Sequence, residues 1–127
     1  MCIRDRLEYR RAMEIAVVGA AAWVELAGDG TVASARVALA AVAPTIIAVT
    51  DLNLETKPVN DELLAYVAAA ASEQASPISD LRASDAYRRH AIGVMTKRAF
   101  AAACRRANGE PLGVPVNHST GIGAAHE

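Results

Sequence analysis

The hydrophobic period of the chain changes once, and the change divides it into a sheet half and a helix half. Between residues 14 and 26, Ile15, Val17, Val18, Ala20, Ala22 and Val24 put apolar side chains on both pleat faces. That pattern predicts a strand covered on two sides. Ala27-Gly28-Asp29-Gly30 reads as a tight loop whose glycines accept positive φ. From residue 31 to 42 the chain alternates, with Ala33, Ala35, Val37, Leu39 and Ala41 on one face and Ser34 and Arg36 on the other. The two runs form a β-hairpin. Pro44 ends the second strand, and the β-branched residues at 45–49 predict a short third one.

Beyond residue 50 the spacing becomes helical. Asn60 is placed to cap a helix whose first turn carries Asp61 and Glu62, charges that suit the positive end of the dipole. Leu63, Leu64, Val67, Ala68 and Ala71 then recur on one side. Pro77 stops this helix, and residues 77–80 form a linker. Ser84 caps a second, longer helix reaching about residue 107, with Tyr87, Ala91, Met95, Ala99 and Ala102 on its apolar face. Asn108-Gly109 supplies its stop. The rest, 108–127, lacks periodicity and reads as a flexible tail. Three strands first and two or three helices after them imply an α+β sandwich.

Composition adds a constraint on stability. The 127 residues are 53% hydrophobic but only 4% aromatic, so the apolar content is largely alanine with valine, leucine and isoleucine. At about 25 cal/mol per Å² of buried apolar area, such small side chains give a thin core. The formal charge of -1 argues against nucleic-acid binding, which calls for a basic excess. Glu14, Glu25 and Pro44 interrupt every apolar run before it reaches the ~20 residues of a membrane helix. No secretory signal pattern is present, so the expected compartment is the cytoplasm. Cys2 and Cys104 are too few for a disulfide framework or a metal cluster.

Two clusters in the chain carry candidate chemistry. Gly28-Asp29-Gly30 joins two strands, and Gly121-Ile122-Gly123 lies too near the chain end for a helix to follow, so neither is a phosphate cradle. His90, His118 and His126 do not converge on a zinc-like ligand set, and His90 reads as a surface residue. Cys104 precedes Arg105 and Arg106, which could lower its pKa, but a small packed side chain is the simpler reading. The first cluster is Arg10-Arg11-Ala12-Met13-Glu14, directly before the buried strand; the plain reading is a solvated lead-in. The second is Asp80-Leu81-Arg82-Ala83-Ser84-Asp85-Ala86-Tyr87-Arg88-Arg89. There Arg88 falls inside the apolar face, and its guanidinium requires Asp80 or a backbone carbonyl as partner.

Three stretches together resemble one family. Residues 10–21 (Arg10-Arg11-Ala12-Met13-Glu14-Ile15-Ala16 and onward) are similar to its Arg-Arg-Ala-Met-Asp-Ile-Ala lead-in, with Glu14 for Asp. Residues 35–45, ending Ala43-Pro44-Thr45, are similar to its second strand and Ala-Pro-Thr exit. Residues 77–90 resemble its Pro-Ile-x-Asp-x-Arg-x-Ser-x-x-Tyr-Arg-Arg segment. The chain thus resembles the C-terminal domain of the FAD-binding (medium) subunit of molybdenum hydroxylases, the carbon monoxide dehydrogenase and xanthine dehydrogenase family, over residues 8–107.

The resemblance implies an α+β fold, a sheet of three or four antiparallel strands packed on two to three helices, and a part in an oxidoreductase. In that family, electrons leave a molybdenum site, pass iron–sulfur clusters of a partner subunit, and reach FAD, which hands them to an external acceptor. FAD there is held mainly by two preceding domains, so this chain by itself is expected to be a non-catalytic fragment. Its implied partners are those FAD-binding domains, the iron–sulfur subunit and the molybdopterin subunit. Arg10, Arg11 and Glu14 are the implied flavin-adjacent positions, the arginines able to stabilise reduced anionic flavin and the carboxylate able to orient them. Asp80, Arg82, Tyr87 and Arg88 are expected to be structural. The family's Phe-x-Lys is replaced by Arg4 and Arg6, and residues 1–7 read as a non-native leader. Ile46 and Ala48 stand where the family has Pro and Arg, so any role of that arginine is lost. The alternative is a free-standing α+β interaction or dimerisation module without a redox role.

Overall fold

The computed structural model describes residues 2–8 and 15–112. Four antiparallel strands lie side by side in chain order: β1 (Cys2–Leu7), β2 (Val18–Leu26), β3 (Val32–Ala40) and β4 (Ile47–Ala48). Helices α1 (Asp61–Gln74) and α2 (Asp85–Ala107) follow. The α+β class and antiparallel sheet are as the sequence predicts, with four strands and two helices among the described residues. β1 is the element without a sequence expectation, since it occupies the segment read as a leader. It pairs along its length with β2, Ile3 opposite Ala22 and Asp5 opposite Ala20.

Sidedness follows from the pleat. Val18, Ala20, Ala22 and Val24 of β2 are buried beneath the helices with Val37 and Leu39 of β3. Gly19, Ala21 and Trp23 face the opposite side, where the Arg36 guanidinium lies 5.9 Å from the Trp23 ring centre. One expectation changes here. The alternation sets Ala33 on one face with Val37 and Leu39, but the ladder pairs Leu26 with Val32 and Glu25 with Ser34, leaving Ala33 as an extra residue in a bulge. The bulge reverses the alternation, so Val32 is buried and Ala33 is exposed. β3 also ends at Ala40 rather than at 42, because Ala41 takes a left-handed φ of 62° that no strand accommodates.

Both helix starts fall where the caps predict. Asn60 accepts a hydrogen bond from the Leu63 N–H at 2.8 Å, and Ser84 accepts one from Tyr87 N–H at 3.1 Å. Gly109, at φ 91°, closes α2 in the left-handed conformation. The buried stripe of α2 runs through Arg88, Ala91, Ile92, Met95, Thr96, Ala99, Phe100, Ala103 and Cys104. Tyr87, expected on that stripe, is 49% exposed, since it sits one position, or about 100° of rotation, to its side. α2 lies across β1 and β2, and α1 packs along α2. The helices approach closely at Gly93, where an added Cβ would stand 3.1 Å from the Ser72 hydroxyl.

Candidate functional site

Segments distant in sequence meet at the end of the sheet where β2 begins and β3 leaves. Ile15 and Ala16 precede β2, residues 41–44 follow β3, and residues 76–82 connect α1 to α2. They surround an open cavity of about 310 Å³ whose wall includes Ile15, Pro44, Ile78, Asp80 and Arg88. The Ser76 N–H donates to the Val42 carbonyl at 3.0 Å, tying the interhelical linker to the strand exit.

Arg88 joins the other pieces. The helical stripe carries it inward until its side chain is only 5% exposed. Its Nη1 donates to the Val17 carbonyl at 2.9 Å and its Nη2 to Asp80 Oδ1 at 2.8 Å. Asp80 Oδ1 also accepts from the N–H groups of Arg82, at 2.8 Å, and Ala83, at 3.2 Å. These bonds, the Arg82 N–H first and the Arg88 guanidinium next, pull the Asp80 carboxyl down to about 2. The Arg82 side chain adds a longer contact to Asp80 Oδ2 at 3.5 Å. Before α2, Ser79 and Asp85 bond reciprocally: Asp85 N–H donates to the Ser79 hydroxyl, which donates to the Asp85 carboxylate and lowers its pKa.

The positions Arg10, Arg11 and Glu14 lie outside the described residues. The described chain resumes at Ile15, two residues before the carbonyl that Arg88 holds. Tyr87 is beside this arrangement but half exposed. Sequence reasoning did not single out Ile15 or Ile78, 60% and 67% exposed, or the Val17 and Val42 carbonyls. Main-chain acceptors leave no trace in residue type, whereas exposed isoleucines would have needed the fold to be seen as exposed.

The remaining candidates are ordinary. His90 is exposed, and among the described residues no group of three His, Cys, Asp or Glu side chains converges on a metal position. His118 and His126 lie outside the described residues. Cys104 is buried, and desolvation pushes its thiol up to about 11, opposite to activation by the neighbouring arginines. Arg105 turns instead to Glu110, and Arg106 to the Cys2 and Leu112 carbonyls.

The described residues do not fit an FAD diphosphate. Gly28 and Gly30 lie in the β2–β3 loop, not before a helix. Both helix N-termini already use a side-chain cap and carry acidic first turns, Asp61 and Glu62 on α1 and Asp85 on α2, which repel a second anion.

Comparisons with known proteins agree on one relationship. Residues 6–103 match the family model for the CO dehydrogenase flavoprotein C-terminal domain. The chain is 31% identical over 103 residues to the xanthine dehydrogenase FAD-binding subunit of Escherichia coli O157:H7, covering 80% of this chain and 35% of that subunit. Among solved structures, carbon monoxide dehydrogenase from Hydrogenophaga pseudoflava superposes with a TM-score of 0.77 at 33% identity, over 83% of this chain and 37% of the matched one. Quinoline 2-oxidoreductase from Pseudomonas putida 86 gives 0.76 at 30% identity, over 84% and 37%. The chain therefore spans little more than a third of the relatives it matches, and it belongs to the CO dehydrogenase flavoprotein C-terminal domain family.

Proposed function

We propose that this chain serves as the C-terminal domain of the FAD subunit of a molybdenum hydroxylase, supporting electron passage from iron–sulfur clusters through FAD to an external acceptor. The observation that carries the reading is the convergence of the three family-like segments at one end, with Arg88 bonded to Val17 and Asp80. That clasp fixes the chain immediately after Arg10, Arg11 and Glu14, the positions assigned to the flavin side by resemblance. FAD itself is held by other domains of the subunit, in keeping with the acidic helix N-termini found here. The partners in this reading are those FAD-binding domains, the iron–sulfur subunit and the molybdopterin subunit, in the cytoplasm. No helix of the described residues is long and apolar enough to cross a membrane.

The test is retention of flavin. The purified chain, incubated with excess FAD and passed through gel filtration, is expected to emerge without flavin absorbance. Stoichiometric retained flavin would overturn the assignment of the diphosphate site to other domains.

A further inference from the structure

The turn that ends α2 is closed twice. The Gly109 N–H donates to the Arg106 carbonyl at 3.0 Å and the Glu110 N–H to the Arg105 carbonyl at 3.1 Å, with Gly109 left-handed at φ 91°. These are the paired bonds of a Schellman stop. The side chains of the outer pair repeat the closure, Arg105 Nε lying 2.6 Å and Nη2 3.4 Å from the Glu110 carboxylate oxygens. Asn108 lies inside this double loop.

Asn108 and Gly109 also form a reactive pair. A main-chain nitrogen that follows asparagine attacks the side-chain amide carbon, and glycine, lacking a Cβ, obstructs that attack least. The Gly109 nitrogen gives its proton to hydroxide and bonds to Asn108 Cγ; the Cγ–Nδ2 bond breaks and ammonia leaves. Water then opens the cyclic imide at either carbonyl, giving aspartate or isoaspartate. Both residues are exposed, and nothing lies within 4 Å of where a Gly109 Cβ would stand. Water and the departing ammonia therefore pass freely.

The folded turn keeps the nucleophile away. At ψ 3° the Gly109 nitrogen eclipses the nitrogen of Asn108 itself and points away from Cγ. Its N–H is also engaged with the Arg106 carbonyl. Ring closure requires rotation about the Asn108 Cα–C bond, which breaks that hydrogen bond and pulls on the Glu110 link beyond it. The reaction thus proceeds from a locally opened helix end.

We propose that Asn108-Gly109 is a self-modification site, converted to aspartate or isoaspartate when the end of α2 opens and protected while the stop and the Arg105–Glu110 bridge are closed. The conversion runs one way, so its extent records how often the turn has opened. The new carboxylate stands at the negative end of the helix dipole and close to Glu110, where it weakens the stop that shielded it. The proposal makes no use of the flavin reading and stands or falls apart from it.

The test holds the full chain at mildly alkaline pH, folded in buffer or unfolded in guanidinium chloride. Conversion at 108 is followed by the mass gain of its peptide, with Asn60, which precedes Asp61, as internal reference. The expected result is conversion at 108 at least several-fold slower in the folded chain, and far slower conversion at 60 than at 108 in the unfolded one. Glu110→Ala, confirmed as folded by circular dichroism, is expected to convert faster than the parent chain. Equal rates at 108 in the folded and unfolded chain overturn the proposal, as does a rate at 108 no greater than at 60 in guanidinium. A Glu110→Ala rate equal to the parent's overturns the part assigned to the bridge. Asn108→Asp reads the consequence: the Gly109 and Glu110 amides should exchange with deuterium at least several-fold faster, and unchanged exchange overturns the weakening of the stop.

Discussion

Arg88 is the residue on which most of the site geometry depends, and its environment defines what its loss should do. Removing it leaves the buried Val17 carbonyl without this donor and takes the closer of two cations from the exposed Asp80, which keeps the Arg82 guanidinium at 3.5 Å. Arg88→Ala should therefore cost about 1–3 kcal/mol, the range for leaving a buried acceptor unsatisfied, measured as the shift of a urea unfolding curve. A change inside experimental error would show that neither bond contributes. Asp80 adds a pH dependence whose sign follows from its lowered pKa. Its folded-state value of about 2 lies below the ordinary 3.8, so its contribution is complete above 3.8 and is lost as the pH falls toward 2. Asp80→Asn should flatten that part of the acid-unfolding profile. An unchanged profile would assign the acid sensitivity to other carboxylates.

At the scale of elements, propensity and caps made the helices readable and packing decided the remainder. Asn60, Ser84 and Asn108-Gly109 bracket α1 and α2 closely, because a cap is a local bond between a side chain and a nearby N–H or carbonyl. β1 was hidden by its charges. Ile3, Asp5 and Leu7 share the inward pleat face and Arg4 and Arg6 the outward one, but an inward aspartate interrupts the apolar alternation. The Asp5 carboxylate accepts the Arg6 N–H at 2.9 Å and has Arg98 of α2 at 3.7 Å, the second a contact visible only once the helix is placed. The Ala33 bulge escaped for a similar reason, since a register shift is a property of two strands together. The pairing of Arg88 with Asp80 was within reach of helical geometry, whereas the Val17 carbonyl and the cavity beside it were not. The helix pair offers its own prediction. Gly93→Leu should destabilise by about 1–3 kcal/mol in thermal or urea unfolding by forcing α1 and α2 apart at Ser72, with Gly93→Ala much milder. Equal tolerance of both would mean that the contact can widen freely.

For the whole molecule, the thin alanine-rich core indicated by composition is present, but it is organised around a few larger side chains. Phe100, Leu39 and Ile92 are fully buried between the helices and the sheet, while alanines at 20, 22, 91, 99 and 103 let the backbones come close. Small residues thus set the spacing of the layers, and the larger ones fill what remains. The aliphatic surface left outside this core is concentrated in part at the end where Ile15, Pro44 and Ile78 meet.

The last turn of α1 contains no basic residue, and its terminal carbonyls are served from the other helix: Arg89 of α2 donates to the Ser72 and Ala75 carbonyls. Ser72 returns a bond to the Arg89 carbonyl. A helix end that borrows its cap from a neighbour cannot fray independently of that neighbour. Amide protons in the last turn of α1 and the first turns of α2 should consequently exchange with deuterium through one shared opening event. Arg89→Ala should split that event in two, with the α1 end exchanging faster while the centre of α2 keeps its protection; unchanged exchange at the α1 end would show that the borrowed cap is dispensable.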